Sequence, residues 1–371
     1  MFDDIRPFRD SEVPAIVKKL VNEPALQQSI ASYVLPKLHR FVPGLSRLMV
    51  KSYLTWRLKS IHSVDDFQTE VAKYLHRLIK QSTDGFSFDG LAKLDMSKPT
   101  LFISNHRDIA LDPALVNLAL YKSGVSTVEI AIGDNLLSKP WVSDLMRLNK
   151  SFIVKRSAKS KREMLTNSKN LSGYIHHTLT DNQQNIWIAQ REGRAKDGLD
   201  KTNAALISML LLNKPKTQSI SEYIKELNIV PVSISYEFDP CDHHKAIELA
   251  TIEETGTYEK DTHEDLNSIT QGLLGYKGRI HIEFGDALHG EFEDSKAIAA
   301  EIDRQIIGNY RLYDSNIAAK ARLTKAEITS ECEEHSMLET LSERMHDLTE
   351  AQQKWLLTMY ANPALAKESV E

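Results

Sequence analysis

A change of rhythm near residue 98 constrains this chain more than any other feature. Beyond it, short apolar runs read as strands: Thr100 to Ser104, Val128 to Ile132, Phe152 to Lys155, Ile186 to Gln190, Ile229 to Tyr236 and Arg279 to Phe284. Helical patterns such as Lys161 to Thr180 and Lys201 to Leu212 fall between several of them. This alternation predicts an α/β fold, a mostly parallel sheet flanked by helices. It does not give the strand order.

At 371 residues the chain has room for one large domain or two ordinary ones, and 42% hydrophobic with 26% charged allows a sizeable core. A formal charge of −5 supplies no basic field, so no nucleic-acid partner is expected. Cys241 and Cys332 are far apart in sequence, which excludes a disulfide framework and a cysteine zinc pattern and fits a reducing cytoplasm. The opening Met1-Phe2-Asp3-Asp4 does not read as a secretory signal. No run reaches the roughly 18 apolar residues of a spanning helix; the densest, Ala204 to Leu212, is too short. A membrane would be met at its surface.

From Asp10 to about Gln81 the pattern is helical, broken by Pro24, Pro36 and Pro43. No acid occurs between Glu23 and Asp65, yet Lys37, Arg40, Arg47, Lys51, Arg57 and Lys59 do, interleaved with Phe41, Leu45, Leu48, Met49, Tyr53, Leu54 and Trp56. Such a mixture suits a helix lying in an anionic lipid interface. It equally suits an amphipathic helix with its apolar side in the core and its bases in water. Ser82 to Lys98 reads as a polar connector, Thr255 to Gly278 as loop with one short helix, and Ser295 onward as charged helix, acid-rich from Glu327 to Gln352. That tail would be an exposed helical pair or a partner-binding arm. The expected organisation is a helical N-terminal region over 1–85, a possible membrane dock; an α/β domain over 86–312; and a charged helical tail over 313–371.

Four blocks carry chemistry. Ser104-Asn105-His106-Arg107-Asp108-Ile109-Ala110-Leu111-Asp112-Pro113 puts a histidine at a strand's carboxyl end, facing the crevice where open α/β sheets hold ligands. A carboxylate in reach would fix its tautomer and stabilise the imidazolium, as base catalysis of alcohol attack requires. On a continuous helix, His106 and Asp112 would lie about 240° apart. The pair therefore works only if His106 sits in the turn before a helix that Asp112 caps and Pro113 opens. Asp108 is a competing carboxylate. Lys150-Ser151-Phe152-Ile153-Val154-Lys155-Arg156 is a strand ending in two cations. Gln190-Arg191-Glu192-Gly193-Arg194-Ala195-Lys196-Asp197-Gly198 follows a strand directly, and its glycines and cations suit a phosphate loop. Ile229-Val230-Pro231-Val232-Ser233-Ile234-Ser235-Tyr236-Glu237 is a buried strand expected to shape a pocket. The crowded Asp239-Pro240-Cys241-Asp242-His243-His244 reads as a structural or solvated loop, because neighbours this close seldom converge on a metal. His176-His177 reads the same way.

In their order and spacing these four blocks resemble the motifs of the glycerolipid acyltransferases, the family of glycerol-3-phosphate and lysophosphatidic acid acyltransferases. Phe88-Asp89-Gly90-Leu91 is similar to the lead-in to the family's first strand, and Gly133-Asp134-Asn135-Leu136 resembles the glycerol-3-phosphate branch. The resemblance spans roughly Phe88 to Glu237, with weaker echoes in Arg279 to Asp286 and Ile302 to Leu312. It implies that His106 deprotonates an acceptor hydroxyl, that Asp112 orients it, and that the hydroxyl attacks an acyl thioester without a covalent acyl-enzyme. It further implies that Arg156, Glu192 and Arg194 bind a glycerol phosphate moiety, that Gly193 allows close approach, and that Lys196 assists. The implied partners are acyl-CoA or acyl carrier protein, a lipid acceptor and an anionic membrane surface, with no cofactor and no metal. Lysophosphatidic acid is the expected acceptor. Glycerol-3-phosphate, an aminolipid hydroxyl and a non-catalytic lipid-binding role are the alternatives.

Two departures from the family pattern matter. Five residues separate His106 from Asp112 where the family usually has four; aligning Leu111-Asp112-Pro113 favours Asp112 over Asp108. The third block has Arg191 before its glutamate and is one residue shorter between Gly193 and Arg194.

Overall fold

The computed structural model describes residues 2–137, 139–261, 264–325 and 332–370. In chain order, α1 (Val13–Val21), α2 (Pro24–Val34), α3 (Pro36–Phe41), α4 (Pro43–Leu58) and α5 (Val64–Ser82) precede β1 (Gly85–Asp89) and β2 (Leu101–Ser104). Then come α6 (Leu111–Lys122), β3 (Val128–Gly133), α7 (Pro140–Leu148), β4 (Ser151–Val154), α8 (Lys161–Thr180), β5 (Asn185–Ala189), α9 (Ala204–Leu210), α10 (Ile220–Leu227) and β6 (Ile229–Tyr236). The chain continues through α11 (Asp242–Thr255), α12 (Glu264–Leu274), β7 (Arg279–Phe284), α13 (Ser295–Gly308), α14 (Asp314–Thr324), α15 (Cys332–Arg344) and α16 (Glu350–Glu368). Two compact units result: residues 1–74 with 129–170, and residues 75–128 with 171–371.

The second unit bears out the α/β expectation. Its strands run in the order β1-β7-β6-β2-β5. β2 lies parallel to β5 and β6, with Leu101 opposite both Ile186 and Ile229. β1 is parallel to β7, and β6 meets β7 antiparallel. Every residue of β2 and β6 is buried, which is why both read as continuous apolar runs and not as alternating ones. β1 escapes that reading: the stretch from Ser82 to Lys98 is not a plain connector but contains this edge strand, whose residues are exposed or half-exposed in alternation. Gly90, at φ +92°, ends it; a Cβ there would lie 2.0 Å from the Phe284 carbonyl oxygen.

Farther on, Asp242, His243 and His244 open α11 and are not loop, while α12 supplies the short helix expected before β7. The C-terminal helices pack rather than dangle. Leu341, Met345, Leu356, Met359 and Tyr360 form one buried cluster with Phe238 and Ala246. Within the acid-rich stretch, residues 327–331 lie outside the described residues.

In the first unit, Val13, Val17 and Leu20 of α1 pack with Phe67 and Leu148. Arg147 donates to the carbonyls of Asp3 and Arg6, both at 2.9 Å, and lies over the Phe8 ring. β3 and β4 pair in parallel, Ile130 opposite Ser151. α4 buries only Ser46 and Val50. Its apolar side, Leu45, Leu48, Met49, Tyr53 and Trp56, is solvent-exposed, as is Phe41 at 79%. Apolar surface faces outward on this helix, contrary to an ordinary amphipathic helix seated on a core.

Candidate active site

The site grows out of the end of β2. Asn105, fully buried, accepts from the Ile234 amide at 2.8 Å and donates to the Ile234 carbonyl at 3.0 Å. That reciprocal pair clamps the exit of β2 to β6. Next comes His106, in the turn before α6, with its side chain 15% exposed. Its Nδ1 lies 2.9 Å from Asp112 Oδ2, and Trp187 meets the ring edge-on. A carboxylate at Nδ1 favours the tautomer with the proton there, which leaves the lone pair on Nε2.

Asp112 is fully buried and takes four donors. Oδ2 accepts from His106 and from the amides of Arg107 at 2.6 Å and Asp108 at 2.9 Å. Oδ1 accepts from the Tyr236 hydroxyl at 2.8 Å. It does not cap α6 as its place before Pro113 predicts. The helix starts at Leu111, and Asp108 Oδ1 takes the amides of Ala110 and Leu111 instead. The two carboxylates thus divide the work, Asp108 on the helix entry and Asp112 on the histidine. Burial, and then the charge of Asp112, push the Asp108 carboxyl above its ordinary value.

Beneath this turn lies a buried polar network. Arg107 Nη2 pairs with Asp200 Oδ2 at 2.6 Å, donates to the Gly198 carbonyl at 3.1 Å, and its guanidinium lies over the Tyr310 ring. Asn105 donates to the same Asp200 oxygen at 3.1 Å. Lys245 Nζ donates to the Arg107 carbonyl at 2.7 Å and pairs with Asp239. The aspartates of the Asp239 to His244 stretch are therefore structural: Asp239 holds Lys245, and Asp242 takes Arg344 and the Tyr360 hydroxyl. His176 pairs with Glu226.

The third block follows β5 and is tied to the first at three points: the Gln190 amide to the Ser104 carbonyl at 2.8 Å, the Ala195 amide to the His106 carbonyl at 2.7 Å, and the Arg107 guanidinium to the Gly198 carbonyl at 3.1 Å. Glu192 and Gly193 are exposed and Arg194 is half-buried, 3.5 Å from the Ser268 hydroxyl. Gly193 sits at φ +75° with open space where a Cβ would be. Lys196 pairs with Glu248, and burial lowers its pKa. Asn362 donates to the Asp197 carbonyl at 2.7 Å. Gly198, at φ +80°, leaves no room for a side chain, because a Cβ would fall 2.1 Å from the Met359 carbonyl oxygen. Arg156 belongs to the other unit, after β4, where its amide donates to Asp134 Oδ1 at 3.2 Å and its guanidinium to Asn135 Oδ1 at 3.4 Å.

Sequence reasoning assigned the fourth block to pocket shape and missed Tyr236 as a partner of Asp112. The available signal was register: β6 runs parallel to β2, so the end of β6 comes level with the turn that carries His106. Among the described residues, Asp89, His281 and Glu283 form the group that could hold a metal, their ligand atoms lying within 4.8 Å of one another. Both ring nitrogens of its histidine are already engaged. His281 Nδ1 bonds Ser87 Oγ, Nε2 bonds Glu283, and Arg311 lies 3.9 Å from Asp89.

A family model described as acyltransferase matches residues 85–235. That match bears out the resemblance read from the four blocks. Among curated proteins, none matches the chain significantly. One similar solved structure is the 1-acyl-sn-glycerophosphate (LPA) acyltransferase of Thermotoga maritima, 13% identical, covering 76% of this chain and 95% of that one, with a TM-score of 0.38.

Proposed function

Residues 85–235 match the acyltransferase family model, and from this premise we propose that the chain moves a fatty acyl group from a thioester to the hydroxyl of lysophosphatidic acid. The observation that carries the reading is His106 Nδ1 at 2.9 Å from a fully buried carboxylate, at the carboxyl end of a central strand. Nε2 takes the proton of the acceptor hydroxyl as its oxygen attacks the thioester carbonyl. The tetrahedral intermediate then collapses, expelling the thiolate of coenzyme A or acyl carrier protein, which recovers the proton from the imidazolium. Asp112 stabilises that imidazolium while it exists. Arg194, on the loop bonded to the His106 carbonyl, supplies positive charge for a phosphate head group, and the open space at Gly193 admits it. Glu192 accepts from acceptor hydroxyls.

The test is product identification by mass spectrometry. The full chain is incubated with palmitoyl-CoA or palmitoyl-acyl carrier protein and, in turn, lysophosphatidic acid, glycerol-3-phosphate and a phosphate-free aminolipid. Phosphatidic acid is the expected product. Acylation of another acceptor alone moves the substrate assignment; consumption of neither thioester overturns the reading in favour of lipid binding without turnover.

The exposed apolar side of α4 supports a second part of the same reading, docking on an anionic bilayer from the cytoplasmic face. Lys37, Arg40 and Lys59 are exposed around it, and bases beside aromatic and aliphatic side chains suit a lipid interface. Among the described residues no helix is long and apolar enough to cross a membrane. The chain is expected to sediment with phosphatidylglycerol-containing vesicles at low salt and less at high salt. Trp56→Ser should weaken partitioning by about tenfold, the loss of one apolar anchor. Absence of the chain from the pellet at low salt refutes the dock.

A further inference from the structure

We propose that Tyr236 is a positioning residue for the His106 and Asp112 pair, holding the carboxylate at one angle and tuning how strongly it attracts the imidazolium. The inference rests on reading His106 as the base. It draws on geometry that the four blocks do not announce. Oδ2 of Asp112 is pinned by two successive amides of the turn, Arg107 and Asp108. A carboxylate held by one oxygen can still swing its plane. The Tyr236 hydroxyl, 2.8 Å from Oδ1, removes that freedom and leaves Oδ2 aimed at Nδ1.

Tyr236 is itself placed by the sheet. It ends β6, Val232 lies opposite Ser104 of β2, and Asn105 bridges to Ile234 two residues before it. The phenol is 5% exposed. Burial, and then the charges of Asp112 and Asp108, push its ionisation well above the ordinary value, so it remains a donor across the working range. By drawing on Oδ1 it shares negative charge that would otherwise act on the imidazolium alone. The other charged groups acting on these partners are Asp108 in the same turn, Asp200 after β5, Asp239 after β6 and Lys245 of α11. All of them persist when the hydroxyl is removed, so Tyr236→Phe changes one donor and little volume.

The experiment follows the His106 ring by nitrogen NMR in histidine-labelled full chain, with His106→Ala giving the assignment. In Tyr236→Phe the ring is expected to bind its proton on the order of two- to tenfold more tightly, moving the titration midpoint to higher pH. With palmitoyl-CoA and lysophosphatidic acid, kcat should fall about 3- to 30-fold with the KM for thioester little changed, and the acid limb of the pH profile should move the same way. In an Asp112→Ala background the same substitution should slow turnover no further. A midpoint that stays put or moves down overturns the proposal, as does additional slowing in the Asp112→Ala background. A packing role alone would lower the thermal midpoint and leave the ring titration where it was. The titration needs no turnover, so if His106→Ala proves fully active the reaction reading fails while the coupling is still decided by the ring.

Discussion

Replacing His106 with alanine is expected to cut acyl transfer by about 10²–10⁴-fold, the usual worth of a positioned general base, and to leave the thermal midpoint nearly unchanged. The ring is at the rim of the site, and its loss leaves Asp112 with its two backbone amides and the Tyr236 hydroxyl. The KM for thioester should move little, because in the proposed reaction the imidazole acts on the acceptor hydroxyl. Asp112→Asn should lose a comparable factor for a different reason. The amide cannot balance an imidazolium, and it can offer Nδ1 a donor where an acceptor is needed. Measuring initial rates of thiol release, with unfolding followed in parallel, decides the matter. Turnover within a few-fold of the native chain in His106→Ala removes His106 from the mechanism; the same result in Asp112→Asn removes the carboxylate's role and leaves the histidine's standing.

The largest expected effect on stability lies one layer down. Asp200→Ala should destabilise the fold by about 3–5 kcal/mol, because it strands the buried Arg107 guanidinium without its counter-charge. The thermal midpoint should fall on the order of 10 °C. Arg107 and Asp200 are 6% and 5% exposed as side chains, so water cannot make good the loss. The control is the double variant Arg107→Met with Asp200→Leu, which removes both charges and should recover much of the stability. A single variant as stable as the native chain would mean that the pair is worth no more than a surface ion pair.

What the sequence made legible follows from range and burial. β2, β5 and β6 were readable because burial on both faces turns a strand into an unbroken apolar run. β1 was not, since a half-exposed edge strand of Gly85 to Asp89 looks like connector. His106 and Asp112 were readable as partners because only six positions separate them, although the helix opens at Leu111, two residues before Pro113. Tyr236, Asn105, Asp200 and Lys245 were invisible as site support: the bond from Tyr236 to Asp112 spans 124 positions and that from Lys245 to Arg107 spans 138. Only strand order and register bring such pairs together, and periodicity carries neither. The orientation of α4 was undecided for a related reason, because an amphipathic pattern does not say which side faces the core.

The seating of α16 against the loop at Asp197 and Gly198 has a consequence for the chain's own biosynthesis. Asn362, which donates to the Asp197 carbonyl, is made 165 residues later. At about 5–20 residues per second this is a delay on the order of 10–30 s. Throughout it a growing chain already contains His106, Asp112 and Arg194 but lacks the wall against which their neighbouring loop rests. On the proposed function, a ribosome-stalled chain that includes all four blocks but stops short of Met359 is expected to show no acyl transfer, because its third-block loop lacks that support.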